Sequence, residues 1–166
     1  NGPQVFRSGS GVKVKDIDGN SYIEGMSGLW CASLGFNEIE LVEAAITQMK
    51  KLPFYHSFTG KTCESTINLS EKLIEIAPNN LKKIFFCNSG SEANDTAIKI
   101  VWYYHASLGN PQKRKIISRK GSYHGVTLAA ASLTALDYAQ KGFGLPLDFA
   151  IHTTWPHYFQ NSNENE

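Results

Sequence analysis

Four consecutive apolar residues, Ile84-Phe85-Phe86-Cys87, pass directly into Asn88-Ser89-Gly90-Ser91-Glu92 and then into a long helical pattern. Strand, tight polar turn and helix in immediate succession constrain the fold more than any other stretch of the chain. An apolar run of this length suits a strand covered on both faces, as in a parallel sheet. The pattern predicts a strand over 83–88 and a helix over about 92–106, which Gly109-Asn110-Pro111 ends. A second strand is expected over 115–119, through Ile116-Ile117. A turn carrying Tyr123 and His124 then leads into a helix of small residues near 127–133.

Upstream, Asn37 stands where it can cap a helix running to about Lys51, with Ile39, Val42, Ile46 and Met49 on one face and Pro53 as its stop. A further amphipathic helix is expected over about 63–77, with Leu69, Leu73 and Ile76 facing inward. Helix and strand therefore alternate through the middle of the chain, which predicts a mostly parallel α/β sheet. The first residues differ. Val12, Val14 and Asp16 alternate with lysines, Asp18-Gly19-Asn20 supplies turn residues, and Ser21 to Glu24 forms the return strand of an antiparallel hairpin. A glycine-dotted loop over 25–35 holds Trp30. The tail over 161–166 is polar and is expected to fray.

The turn at Asn88–Glu92 is the strongest chemical signal. The first N–H groups of a helix have no partner within it, and the helix dipole places about half a positive charge there. A phosphate can be held at such a point by backbone N–H groups and serine hydroxyls, with Gly90 permitting close approach. The plain alternative is that Ser91 is simply the helix N-cap, with Asn94 as a poor capping-box partner. No glycine-lysine-serine/threonine loop and no GxGxxG pattern is present, so a nucleotide enzyme is disfavoured. Gly121-Ser122-Tyr123-His124-Gly125 follows the next strand, on the sheet edge where α/β ligands bind. Tyr123 can lay its ring on a flat ligand and His124 can support it, the alternative being ordinary packing. Together the two turns suit a ligand that is both phosphorylated and aromatic.

Charge and cysteine usage narrow the partners. A net charge of +1 with scattered basic residues gives no field for nucleic acid. No apolar run approaches the ~18 residues that would span a bilayer. Three well-separated cysteines, Cys31, Cys63 and Cys87, include no CxxC pair, so no metal site is expected. Their odd number fits a reducing compartment, with the cytoplasm as default.

The stretches 88–97 and 118–125 resemble the matching segments of class III aminotransferases. Ser27-Gly28-Leu29-Trp30-Cys31 and Gln48 to Tyr55 are similar to the ω-amino-acid:pyruvate branch, and the likeness runs from about Val5 to Phe159. The resemblance implies the amino-terminal part of a fold-type I pyridoxal-phosphate-dependent transferase: an antiparallel hairpin segment plus the start of the mostly parallel large domain. It implies a division into an amino-terminal segment over 1–55 and an incomplete cofactor-binding domain over 56–166. Pyridoxal 5'-phosphate is the implied cofactor. Ser89, Gly90 and Ser91 would surround its phosphate, Tyr123 would stack on its ring and His124 would support it. Trp30 would line the substrate pocket, and Phe58 matches a position facing the partner subunit's site in the family's homodimers.

The reaction implied is transfer of an amino group from an amine or ω-amino acid to a keto acid such as pyruvate. The lysine that forms the Schiff base lies well downstream in the family, so none of this chain's lysines is expected to take that role. Two readings stand at this point. The chain is part of an aminotransferase whose remainder lies outside it, or it is a non-catalytic phosphate-binding or oligomerisation module.

Overall fold

A computed structural model describes residues 2–157, and the polar tail lies outside them. The chain forms two compact units that divide between Leu81 and Lys82.

The first unit opens with a three-stranded antiparallel sheet in the order β1 (Phe6–Ser10), β2 (Lys13–Asp16), β3 (Ser21–Ile23). The predicted hairpin is β2 and β3, with Val14 opposite Tyr22. The third strand, β1, has no apolar alternation to announce it, and a register shift interrupts its pairing between Phe6 and Ser8. The turn is built around Asp16. Its carboxylate accepts the N–H groups of Asp18 at 3.0 Å and Asn20 at 2.8 Å, and the hydroxyl of Tyr22 at 2.8 Å. Asn20 Nδ2 donates to it as well, at 3.0 Å. An aspartate that gathers turn N–H groups gives the chain a local alternative to a ladder, which is why such residues sit in turns.

The loop after β3 contains a turn of left-handed helix, α1 (Ser27–Trp30). Ser27, Gly28, Leu29 and Trp30 have φ of 51°, 60°, 63° and 71°. Only glycine takes this conformation freely; other residues cost roughly 1–2 kcal/mol each. Two helices follow, α2 (Ile39–Lys51) and α3 (Glu64–Ile76). Asn37 does not cap α2. It takes φ of 58°, and the cap position falls to Glu38, which makes no side-chain capping bond. The backbone pairing of Phe36 with Gly11 directs the chain at that point, and asparagine tolerates the left-handed region that results. The apolar faces predicted for both helices are present, yet neither helix contributes a buried residue.

The second unit holds α4 (Gly90–Ser107), β4 (Ile116–Arg119), α5 (Leu128–Leu133), α6 (Asp137–Gln140) and β5 (Ala150–Thr153). β4 and β5 pair in parallel, Ile116 with Ala150 through Arg119 with Thr153. The predicted strand over 83–88 is not formed: Ile84 to Cys87 make no ladder among the described residues. A strand is defined by its neighbours' N–H and C=O groups, and apolar character alone does not supply them. α4 starts two residues earlier than predicted, because Ser89 rather than Ser91 is its cap. It ends in a Schellman motif: Gly109 takes φ of 77°, its N–H reaches the Ala106 carbonyl, and the Asn110 N–H reaches that of His105. The core gathers around the small residues of α5. Ala130, Ala131 and Leu133 are buried together with Ile98 of α4. Its buried hydroxyls are satisfied, Ser118 by the Leu133 carbonyl at 2.8 Å and Ser132 by that of Leu128 at 2.7 Å.

Candidate phosphate and ring site

The Ser-Gly-Ser turn is a reciprocal cap. Ser89 Oγ accepts the Glu92 N–H at 3.2 Å, and the Glu92 carboxylate reaches back to the Asn88 N–H at 2.8 Å. The Ala93 N–H goes to the Ser89 carbonyl at 3.0 Å. The N–H groups of Gly90 and Ser91 remain, with no acceptor among the described residues. They stand at the positive end of an 18-residue helix. Gly90 is exposed, and a Cβ built on it meets nothing within 4 Å beyond its chain neighbours and the backbone of its own helix. The fold itself therefore does not demand glycine at this position.

Ser91 faces the other way. Its Oγ accepts the Val126 N–H at 3.0 Å, tying the first turn of α4 to the loop that follows Tyr123 and His124. Two further residues of α4 strengthen the tie. Asn94 Nδ2 donates to the His124 carbonyl at 2.6 Å. Asp95 Oδ1 accepts from Thr127 Oγ1 at 2.8 Å and from the Ala130 N–H at 2.9 Å, which caps α5 from a neighbouring helix. The loop is closed from beneath by the buried Thr134, which accepts the His124 N–H at 2.8 Å and donates to the Gly125 carbonyl at 3.0 Å. Gly125 is where the approach is tightest. Its φ is 133°, and an added Cβ would lie 2.6 Å from Ser91 Oγ and 2.8 Å from Ala130 Cβ.

Of the residues singled out from sequence, Ser91 and His124 make bonds of this clamp, and Ser89, Gly90 and Tyr123 adjoin them in the chain. The hydroxyl of Ser89 is spent on the cap, and His124 is held by both its backbone groups, while the Tyr123 ring is 57% exposed. Trp30 and Phe58 belong to the other unit. Trp30 closes the left-handed turn, and the Phe58 N–H donates to His56 Nδ1 at 3.2 Å. Sequence reasoning gave Asn94 only as a poor capping-box partner and passed over Asp95 and Thr134. Their signal is modest: two adjacent polar residues one turn into a helix, and a threonine just past a helix of small residues.

Among the described residues no group of three or more His, Cys, Asp or Glu side chains is placed to hold a metal ion. None of the described helices is long and apolar enough to cross a membrane.

The family profile described as aminotransferase class-III matches residues 2–166. Vanillin aminotransferase of Capsicum frutescens is 48% identical over 158 residues, covering 95% of this chain and 34% of that protein. Gamma-aminobutyrate transaminase 1, mitochondrial, of Oryza sativa subsp. japonica is 46% identical over 159 residues, covering 95% and 31%. Among solved structures, an ω-transaminase from Pseudomonas jessenii in complex with PMP superposes with a TM-score of 0.96 at 50% identity, over 99% of this chain and 36% of that one. An ω-aminotransferase from Paracoccus denitrificans gives 0.95 at 45% identity, over 100% and 37%. The chain thus spans about a third of the length of the relatives it matches. Class III aminotransferases depend on pyridoxal phosphate, and their fold-type I architecture accounts for both the antiparallel sheet and the parallel pair. The chain belongs to the class III aminotransferase family.

Proposed function

We propose that this chain supplies the phosphate- and ring-holding part of an aminotransferase site, in a protein that moves an amino group from an amine or ω-amino acid to a keto acid such as pyruvate. One observation carries the reading. The N–H groups of Gly90 and Ser91 at the head of α4 have no acceptor among the described residues, and Ser91 binds that same turn to the Tyr123 loop. A phosphate accepts both N–H groups there, and the clear space beside Gly90 is what a bulky anion needs. Ser91 Oγ already accepts from Val126, so its own proton is free to be donated to a phosphate oxygen. Tyr123 presents its exposed ring to a flat ligand, and His124 fixes that presentation through its backbone. When bound, pyridoxal phosphate supplies an electron-withdrawing ring that accepts the electron pair left as a donor loses its proton. The reactive lysine of the reaction lies outside this chain's residues on this reading.

Trp30 and Phe58 are assigned to the substrate pocket. One similar solved structure is described as a thermostable ω-transaminase variant engineered for asymmetric synthesis of enantiopure bulky amines. It carries substitutions at a tryptophan and at a phenylalanine 28 positions later. Trp30 and Phe58 are 28 positions apart in this chain. The functional division is placed between residues 55 and 56, with the cofactor-binding domain beginning at 56. A homodimer is inferred, supported by the exposed apolar side chains of α2, such as Ile39 and Met49. The cytoplasm is assigned from the three free cysteines; import into an organelle, as in the mitochondrial relative, is what cell fractionation would reveal instead.

The test uses the complete protein loaded with cofactor. An amine or ω-amino acid added alone should change the cofactor's visible spectrum, and pyruvate should then restore it. A spectrum that no amino donor alters would sink the proposal.

A further inference from the structure

We propose that Glu24 is a positioning residue for the substrate pocket: its carboxylate locks the left-handed Ser27–Trp30 turn and so sets where the Trp30 indole stands. The proposal rests on the assignment of Trp30 to that pocket.

Three of the four residues of the turn are not glycine, yet all four take positive φ. Such a conformation persists only where its surroundings over-determine it. The turn's own bonds are the Trp30 N–H to the Met26 carbonyl at 2.8 Å and the Cys31 and Ala32 N–H groups to that of Ser27 at 2.9 and 2.8 Å. A right-handed turn makes bonds of the same kind, so these do not select the hand. The ends of the loop are held by backbone. The Glu24 N–H donates to the Val12 carbonyl at 2.9 Å, and Gly11 and Phe36 exchange bonds at 2.9 and 2.8 Å.

The N–H groups at the start of the turn go to the half-buried carboxylate of Glu24. One oxygen accepts the Met26 N–H at 2.9 Å and the other accepts that of Gly28. The two bonds, led by that of Gly28, also keep the Glu24 carboxyl below the usual carboxylate range. A single side chain thus fixes the N–H groups on either side of Ser27, the first left-handed residue. Its loss frees the turn without releasing the ends of the loop. A freed turn leaves the Trp30 wall movable, and the pocket then discriminates less against bulky amines.

The experiment measures kcat/KM for a small aliphatic amine and a bulky aryl-alkyl amine on the complete holoenzyme. Glu24→Ala should raise the bulky-to-small ratio about tenfold, chiefly through KM, within the range that hydrophobic pockets discriminate. Glu24→Gln keeps one acceptor oxygen and should fall between the wild type and Glu24→Ala. In a Trp30→Ala background, Glu24→Ala should change the ratio no further. If Trp30→Ala shifts the ratio while Glu24→Ala lowers both substrates equally, Glu24 is merely structural and the proposal is overturned. If Trp30→Ala leaves the ratio unchanged, the pocket assignment itself fails and takes this proposal with it. Should Glu24→Ala not fold, Glu24→Gln carries the same comparison.

Discussion

The hydroxyl of Ser91 accepts the N–H of Val126 across 35 positions of sequence, at 3.0 Å. A hydroxyl has two lone pairs and one proton, so this bond leaves the proton to be given elsewhere. The same atom thereby joins the helix that would hold the phosphate to the loop that would hold the ring. Ser91→Ala removes both the donor and the tie. We expect cofactor affinity in the complete enzyme to fall by about 1–2 kcal/mol, the scale of one charge-assisted hydrogen bond. Equilibrium dialysis of the cofactor measures it, and unchanged affinity would put the phosphate elsewhere.

Gly90 and Gly125 stand on either side of Ser91 and call for opposite results. A methyl on Gly90 meets nothing within 4 Å beyond its chain neighbours and the backbone of its own helix. Gly90→Ala should therefore leave the melting temperature of the cofactor-free protein close to wild type while weakening cofactor binding. A methyl on Gly125 would lie 2.6 Å from Ser91 Oγ, in a backbone with φ of 133°. Gly125→Ala should destabilise the protein by about 1–3 kcal/mol through overpacking and strain. Paired thermal melts and cofactor titrations separate the two. Equal loss of stability in both variants would mean that the space beside Gly90 serves the fold rather than a ligand.

Tyr123 offers an exposed ring on a loop whose backbone is fixed at His124 and Gly125. If the ring stacks on the cofactor, Tyr123→Phe should retain the cofactor and Tyr123→Ala should lose it faster on gel filtration, because stacking depends on the ring and not on its hydroxyl. Equal retention by both variants would return Tyr123 to ordinary surface packing.

The alternation at Lys13–Asp16 and the glycine after Asp18 were enough to show the hairpin, because both signals are local. The helices α2 to α4 were legible from apolar spacing for the same reason. Ile84-Phe85-Phe86-Cys87 misled, since apolar character says that a segment is to be covered and not which strand is to pair with it. β5 went unread because four residues, two of them polar, carry too little pattern. In the site, Ser89 and Ser91 were visible as a pair, but their division of labour was not. Which serine caps depends on where Glu92 finds an N–H, and which one crosses to Val126 depends on a contact 35 positions away. The left-handed turn at Ser27–Trp30 was invisible for a similar reason: a single glycine does not announce three unwilling neighbours.

Asp16 gives the first unit a pH dependence whose sign can be worked out. Hydrogen bonds from the Asn20 side chain first, then from Tyr22 and the backbone N–H groups of Asn20 and Asp18, hold its carboxyl below the ordinary aspartate value. The folded state thus favours the charged form more than the unfolded chain does. The stabilisation is fully present above the unfolded value and is lost as pH falls through the lowered folded value. On acidification from neutral pH, the wild type should lose stability in the region below the ordinary carboxylate range. Asp16→Asn should be less stable than wild type at neutral pH, and its deficit should shrink as the pH drops, because protonated aspartate and asparagine make similar bonds. Chemical denaturation across that range measures the difference. A deficit that stays constant with pH would show that the turn depends on the shape of Asp16 and not on its charge.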